Sequence, residues 1–566
     1  MSQPMRGLAA AVASFATTTA LFGQEPVAAP IAPVVPIVTA PIAGEQAAPM
    51  PAAGAPAAPI AEAQAVAPGC ATSLCGPYDF SKVPPIRPAL RTGPFQVAPT
   101  GCGSYSLMSA WKGETSDGPP KFGYPAFGFM ANSFYDTDWR YLDNPKTPPK
   151  DIFDEMKRMR IGDDWLFSTG GSAWTRLMNE TNSRLTQGDN NYVLNRARVY
   201  ADLWYEDRFR VFVEGIFSYS MWQDLPKLPI DENRYDFLNL FIDLKLATIE
   251  GEPLYLRAGR QELAFGSQRL ISTLDWANTR RTFQGLSLNR TSETFDFSMF
   301  WVQPVIPNPV HLDSVDNNQN FAGAWATYKP KKGTSVDLYY LMLDNTNEVV
   351  QQRVTRAPYT LHTIGSRYAG DMDKEFLWDF EGAMQLGNRN GNNVVAGMGT
   401  AGLGYHFKDV AWEPTLWAFY DYASGGTAGP GGTEHTFNAL FPFGHYYLGW
   451  ADLVGRQNIQ DLNAHLYLYP SKWITMWAQY HCFWLANSQD ALYNAAGNAI
   501  RRDATGAAGS HVGNELDLVV NFHLTPRSDL TLGYSHLFGG NFLKATSGVN
   551  AAQNSSMFFA QSGFRW

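Results

Sequence analysis

Arginine is the residue type whose placement most suggests chemistry. Between Asn195 and Arg290 the basic residues are eleven Arg and two Lys. A guanidinium stays charged and offers a planar fork of donors that fits a carboxylate. Acids lie close by in the same stretch, at Asp202, Glu214, Asp243, Glu262 and Asp275. Two roles follow. Facing a water-filled channel, such arginines attract a polyanion built from carboxylated sugars, and nearby acids grade the field so that the chain slides. Paired off, they are salt bridges that stiffen a wall. The residues singled out as pore-lining or substrate-binding are Arg198, Asp202, Arg257, Arg260, Glu262, Arg269, Asp275, Asn278, Arg280 and Arg281. Catalysis has little support. The chain has no G-x-S-x-G elbow, no H-E-x-x-H and no phosphate-binding loop with its lysine. Its ten histidines are scattered, and the glycine-rich run Ser424–Gly432 contains no Lys and reads as an outer loop. Cys70, Cys75 and Cys102 lack a histidine or fourth cysteine at ligand spacing, which argues against a metal site and leaves a disulfide between two of them open. No enzyme, cofactor or metal is expected.

The elements that must carry these arginines are strands. The chain has 566 residues, with 17% charged, 14% aromatic and 50 glycines. It contains no apolar run of about 18 residues, so no transmembrane helix is expected. A net charge of −9 argues against a nucleic-acid partner. From Trp165 onward polarity alternates with period two. Val193, Ala197, Val199, Ala201 and Leu203 share one face, and Arg196, Arg198, Tyr200 and Asp202 the other. Phe209, Val211 and Val213 against Arg208, Arg210 and Glu214 repeat the pattern after a turn at Glu206-Asp207. Such runs suit tilted membrane strands of about 9–11 residues, and mid-strand charges suit a polar lumen. Short turns alternate with long polar loops, the arrangement of outer-membrane barrels. Strands are expected to begin near residues 165, 192, 208, 235, 253, 283, 294, 320, 334, 358, 376, 394, 412, 457, 473, 512, 529 and 556, eighteen in all. The fold class expected is therefore all-β, a large antiparallel transmembrane barrel preceded by a disordered Pro/Ala-rich extension. The final run, Phe558 to Trp566, reads as a closing strand with the aromatic ending that barrel assembly machinery recognises.

Ahead of the barrel three segments are expected. Residues 1–23, with Arg6 before the apolar run Leu8–Phe22, read as a signal peptide. Residues 24–68 read as a Pro/Ala-rich linker. Residues 69–164 form an irregular Cys-containing periplasmic segment, in which Ile152–Ile161 is expected to be one short amphipathic helix with a packing, plug or lid role.

One string is sharper than the rest. Gly259-Arg-Gln-Glu-Leu-Ala-Phe-Gly-Ser-Gln-Arg-Leu270 is followed by Trp276-Ala-Asn-Thr-Arg-Arg-Thr-Phe-Gln-Gly285. Together they resemble the paired motifs of the alginate export family. Thr436-Phe-Asn438, Leu440-Phe-Pro442 and His445 resemble its long-loop segment, and Gly513–Asp517 with Gly533-Tyr-Ser535 its last hairpin. The resemblance covers about residues 160–566. It implies an 18-stranded barrel in the outer membrane of a Gram-negative-type bacterium, with an Arg-rich constriction that secretes alginate. By the match, Arg257, Arg260, Arg269, Arg280 and Arg281 are pore or motif residues, with Glu262, Asp275 and Asn278 orienting them. Trp276 and Phe283 are alternatively the packing of a loop folded into the lumen. Gln284 stands where many members have Asp, an expected loss of one pore charge. Expected partners are outer-membrane lipid, an anionic polysaccharide, barrel assembly machinery and periplasmic polysaccharide-export proteins. The alternatives are a general or substrate-specific porin for small anions or sugars, and a structural envelope protein whose Pro-rich arm touches peptidoglycan.

Overall fold

Eighteen long strands close into one antiparallel barrel in the computed structural model, which describes residues 83, 95–122, 133–144, 146, 151–348, 350–351, 354–355, 358–426, 431–548 and 550–566. The expected signal peptide and linker, and Cys70 and Cys75, lie outside the described residues. Cys102 is exposed and unbridged.

The strands are β1 Trp165–Thr181, β2 Asn190–Tyr205, β3 Phe209–Met221, β4 Asn233–Ile249, β5 Glu252–Gln261 and β6 Phe283–Arg290. They continue as β7 Phe295–Ile306, β8 Gln319–Lys331, β9 Thr334–Asn345, β10 Tyr359–Met372, β11 Phe376–Arg389 and β12 Asn392–His406. The last six are β13 Thr415–Ala423, β14 Ile459–Ser471, β15 Ile474–Leu485, β16 His511–Thr525, β17 Ser528–Gly539 and β18 Ser555–Arg565. Each pairs with its chain neighbours, and β18 returns to β1 with Ser172 opposite Arg565 and Thr181 opposite Ser556. Closure leaves no long unpaired edge, which is what a lipid environment demands of a sheet.

The alternation runs inside out. Val199 is 53% exposed, Leu338 and Ile364 each 60%, whereas Arg210 is 2% exposed and Glu214 fully buried. Apolar side chains thus project outward toward lipid, and the charged face turns inward. Exposed aromatics collect toward the rims, with Phe295, Tyr328, Phe376, Tyr405 and Trp412 at the short-turn end and Trp222, Tyr235 and Phe538 at the other. Among the described residues no helix is long and apolar enough to cross a membrane.

One departure from regular alternation matters. Between β3 and β4, Glu214 faces Asn239 but Gly215 faces Phe237, so Leu238 is an extra residue on β4. This bulge turns Leu238 and Asn239 both inward.

Ahead of the barrel the structure corrects one expectation. Ile152–Ile161 is not a single helix. Asp151 caps one turn, Ile152–Glu155, by accepting from the amides of Phe153 and Asp154, each at 3.0 Å. Arg158 then takes a left-handed conformation, and Met159–Ile161 pairs with Trp165–Phe167. The reason lies in the sheet. β18 pairs with β1 only from Ser172 onward, so the first residues of β1 have free backbone groups on that side, and the incoming chain takes them up.

Candidate lumen constriction

Two loops from the long-loop rim fold back into the barrel. Loop A, residues 262–282, joins β5 to β6, and loop B, described over residues 424–426 and 431–458, joins β13 to β14. They grip each other through backbone hydrogen bonds. The Phe441 amide donates to the Leu270 carbonyl (2.9 Å), Ser272 to Phe441 (3.0 Å) and Phe443 to Gln268 (2.9 Å). Aromatic packing seats them. Trp276 stacks on His445 with ring centres 3.9 Å apart and lies under the Arg176 guanidinium at 3.5 Å. Its edge meets Trp450 and Phe559, at 5.7 and 5.0 Å. Phe283 packs edge-on to Phe441 at 5.0 Å. Trp276 and Phe283 therefore pack the inserted loops. Gly266 has φ +53°, and a Cβ there would press on Trp325 at 2.6 Å, so glycine lets loop A lie against the β8 wall.

Loop A is tethered to both sides of the barrel by charge. On one side Arg280 donates to Glu262 (2.5 Å) and to Asp275. Asp275 also accepts from Arg196 of β2 at 2.7 Å. Asn239, aimed inward by the bulge, donates to Glu262 (3.2 Å) and Glu214 (2.8 Å) and accepts from the Glu262 amide (2.9 Å). Glu214 in turn holds Arg198 at 2.6 Å. On the other side Arg269 reaches Asp379 and Glu381 of β11, both at 2.9 Å. Asp379 is shared with Arg367 at 2.7 Å. Burial alone would push the Asp275 carboxyl up, yet Arg280, Arg196 and Arg198 hold it well below the usual carboxylate range. Arg269 and Arg280 are likewise held above the ordinary arginine value, because Asp379 and Asp275 outweigh their burial. Arg281 has no carboxylate partner among its contacts. It donates to the carbonyls of Phe441 (2.5 Å) and Pro442 (3.2 Å), and burial lowers it to about 10.

Nearer the short-turn rim a second network lines β2 to β5. Arg210 grips Asp202 with two bonds, 2.7 and 2.8 Å, and lies 3.5 Å from Asp243. Arg257 grips Asp243 at 2.7 and 3.0 Å with no exposure at all.

The structure brings together Arg198, Arg257, Glu262, Arg269, Asp275, Arg280, Arg281 and Asp202 on the lumen side. Two residues fall elsewhere. Asn278 donates to the carbonyls of Asp231 (2.8 Å) and Tyr219 (3.3 Å), so it anchors loop A to the wall and orients no arginine. Arg260 sits three residues after Arg257 on one strand and so faces the opposite way. It contacts Asp236 (3.2 Å) and the carbonyls of Phe237 and Asp313, beside outward Leu240 and Leu286. Gln284 pairs across the ladder with Arg260 and is exposed. Its replacement of Asp therefore alters the outer face and leaves the lumen charge untouched. Arg196, Arg210, Arg367 and Arg456, which binds Asp421 at 2.6 Å, were not singled out from sequence. The inward parity of Arg196 and Arg210 was readable, but Arg367 and Arg456 lie outside the arginine-dense stretch. Among the described residues, no group of three His, Cys, Asp or Glu is placed to hold a metal ion.

Comparison with known proteins adds the family. Among curated proteins none matches this chain by sequence. Solved structures of Pseudomonas aeruginosa proteins resemble it at low identity. OccK8 (OprE) is 11% identical with a TM-score of 0.48, covering 70% of this chain and 98% of that one. OpdQ is 12% identical with the same coverage and a TM-score of 0.48. OccD3 (OpdP) is 10% identical over 70% of this chain and 91% of that one, with a TM-score of 0.47. The alginate export family matches residues 166–556, from the start of β1 into β18, both inserted loops included. Joined to the closed inside-out barrel, that match makes the chain a member of the alginate export family, a passive channel of the outer membrane.

Proposed function

We propose that this channel passes an anionic polysaccharide, an alginate-like polyuronate, by passive diffusion and catalyses no reaction. The observation that carries the reading is the course of loop A. Loop A, which carries the family's paired motifs, folds into the lumen on the buried ties of Arg269 and Arg280 and presents the half-buried Arg281 to a traversing chain. A guanidinium held by carbonyls, as Arg281 is, keeps its charge and attracts a uronate carboxylate, while the acids matched to the neighbouring arginines keep the field from trapping it. Partners on this reading are outer-membrane lipid, barrel assembly machinery and periplasmic polysaccharide-export proteins. Planar-bilayer recording tests it. The current should be anion-selective and blocked by polyuronate fragments, and cation selectivity with no polyuronate effect would sink it. A porin for small anions or sugars is the second reading, favoured by how closely loops A and B pack the lumen. That reading predicts conductance indifferent to polyuronate.

A further inference from the structure

Residues 133–144 lie outside the family match, yet Phe134, Tyr135 and Trp139 are buried against inward-facing Tyr200, Phe212 and Phe241 of the barrel. Phe134, Tyr135 and Asp136 form one 3-10 turn, and all three are buried. Phe134 packs on Tyr200 of β2 at 5.0 Å, and Tyr135 meets Phe212 of β3 and Phe241 of β4 edge-on at 5.3 and 5.0 Å. The Tyr135 hydroxyl donates to the Glu262 carbonyl at the start of loop A (2.8 Å), and its own carbonyl accepts from Arg210 (2.8 Å). This segment covers Arg198, which Glu214 holds, and Arg257 of the network nearer the short-turn rim. The Arg198 guanidinium lies 4.1 Å over the Phe134 ring, and that of Arg257 4.4 Å over Tyr135. Asp136 acts electrostatically on both Arg210 and Arg257. Such contacts hold a cation by ring faces and leave donors over. Arg198 Nη2 and Arg257 Nη1 are buried without a hydrogen-bond partner. A buried unpaired guanidinium donor costs free energy that an anion would recover. A polar cavity of about 30 Å³, room for about one water, remains between Tyr135, Trp139, Asp202 and Arg210.

We propose that residues 133–144 are a displaceable plug seated on a carboxylate-binding site made by Arg198, Arg210 and Arg257. The class of ligand, a uronate carboxylate, rests on the proposed function; the plug itself does not. Asp202, Asp243 and Glu214 hold the forks of Arg210, Arg257 and Arg198, and the rings of the plug cover the guanidinium faces; a carboxylate that takes the place of the rings accepts from the donors left over, Arg198 Nη2 and Arg257 Nη1. Displacement frees the short-turn mouth along β2 to β5 and loosens the Tyr135 tie to loop A.

The test uses the full chain with its four cysteines replaced by Ser and Ser133→Cys as a reporter. Polyuronate fragments should raise the rate of thiol labelling by about tenfold, equivalent to about 1.4 kcal/mol in plug release. A neutral oligosaccharide of equal length should not. In bilayers, Phe134→Ala with Tyr135→Ala should raise the open fraction by a similar factor, with heat-modifiable gel mobility reporting an intact barrel. Labelling unchanged by polyuronate in a channel that polyuronate still blocks would overturn the plug and leave the proposed function standing. A variant that opens, conducts cations and ignores polyuronate would overturn the carboxylate site together with the proposed function.

Discussion

Arg269→Gln isolates the tether between loop A and β11. The arginine is wholly buried and binds Asp379 and Glu381 at 2.9 Å each. Removing one partner of a buried pair costs about 3–5 kcal/mol, because the other charge is left uncompensated. Asp379 keeps Arg367 at 2.7 Å, so the stranded group is Glu381. Glu381 retains bonds from Ser267 (2.6 Å) and Tyr339 (3.2 Å), which places the loss at the lower end, about 3 kcal/mol. The strand ladders do not depend on Arg269, so the barrel should still show heat-modifiable mobility. What should fail is loop A seating, with its detached population rising by about two decades. Single-channel recording reads this as larger and noisier conductance. Adding Glu381→Gln removes the stranded charge and should restore much of the quiet state. Wild-type conductance in the single variant, or a double variant no quieter than the single, would refute the tether.

Other outcomes follow from the same contacts. Arg260→Gln should leave ion selectivity unchanged in reversal-potential measurements, since Arg260 lies on the outward face beside Leu240 and Leu286. Trp276→Ala removes the ring between Arg176 and His445 and should lower loop stability by about 3–5 kcal/mol, read as protease cleavage within loop A. Lys157 packs over Trp139 and Tyr200, and burial, with Arg527 nearby, lowers it to about 8. The unfolded chain then binds more protons than the folded one above that value, so stability should rise with pH from about 8 toward the ordinary lysine range. Denaturant midpoints across this window should climb in the native chain and stay flat in Lys157→Met.

Much of the barrel was legible because period two is strict wherever one face meets lipid. All eighteen expected strand starts fall within three residues of those observed, including the short β6, Phe283–Arg290, and β10. Turns such as Glu206-Asp207, where Glu206 is left-handed, marked the short rim. The interior was less legible. Alternation says that Arg198 and Asp202 share a face, but Asp202 pairs with Arg210 across the ladder and Arg198 with Glu214. Partner choice depends on diagonal geometry between strands, which one strand's sequence does not contain. Arg260 shows how a motif misleads. Its match to a family string suggested a pore role, whereas its odd spacing from Arg257 already required opposite faces. The insertion of residues 133–144 left no periodic trace, because a three-residue turn carries too little pattern to be read.

The central claim is that a polyuronate crosses the lumen past the arginines of loop A. Proteoliposomes loaded with uronate oligomers and neutral oligosaccharides of equal length test it directly. The account predicts faster efflux of the uronate, slowed when Arg281 is replaced by Gln. Neutral oligomers leaving as fast as uronates, or faster, would contradict it.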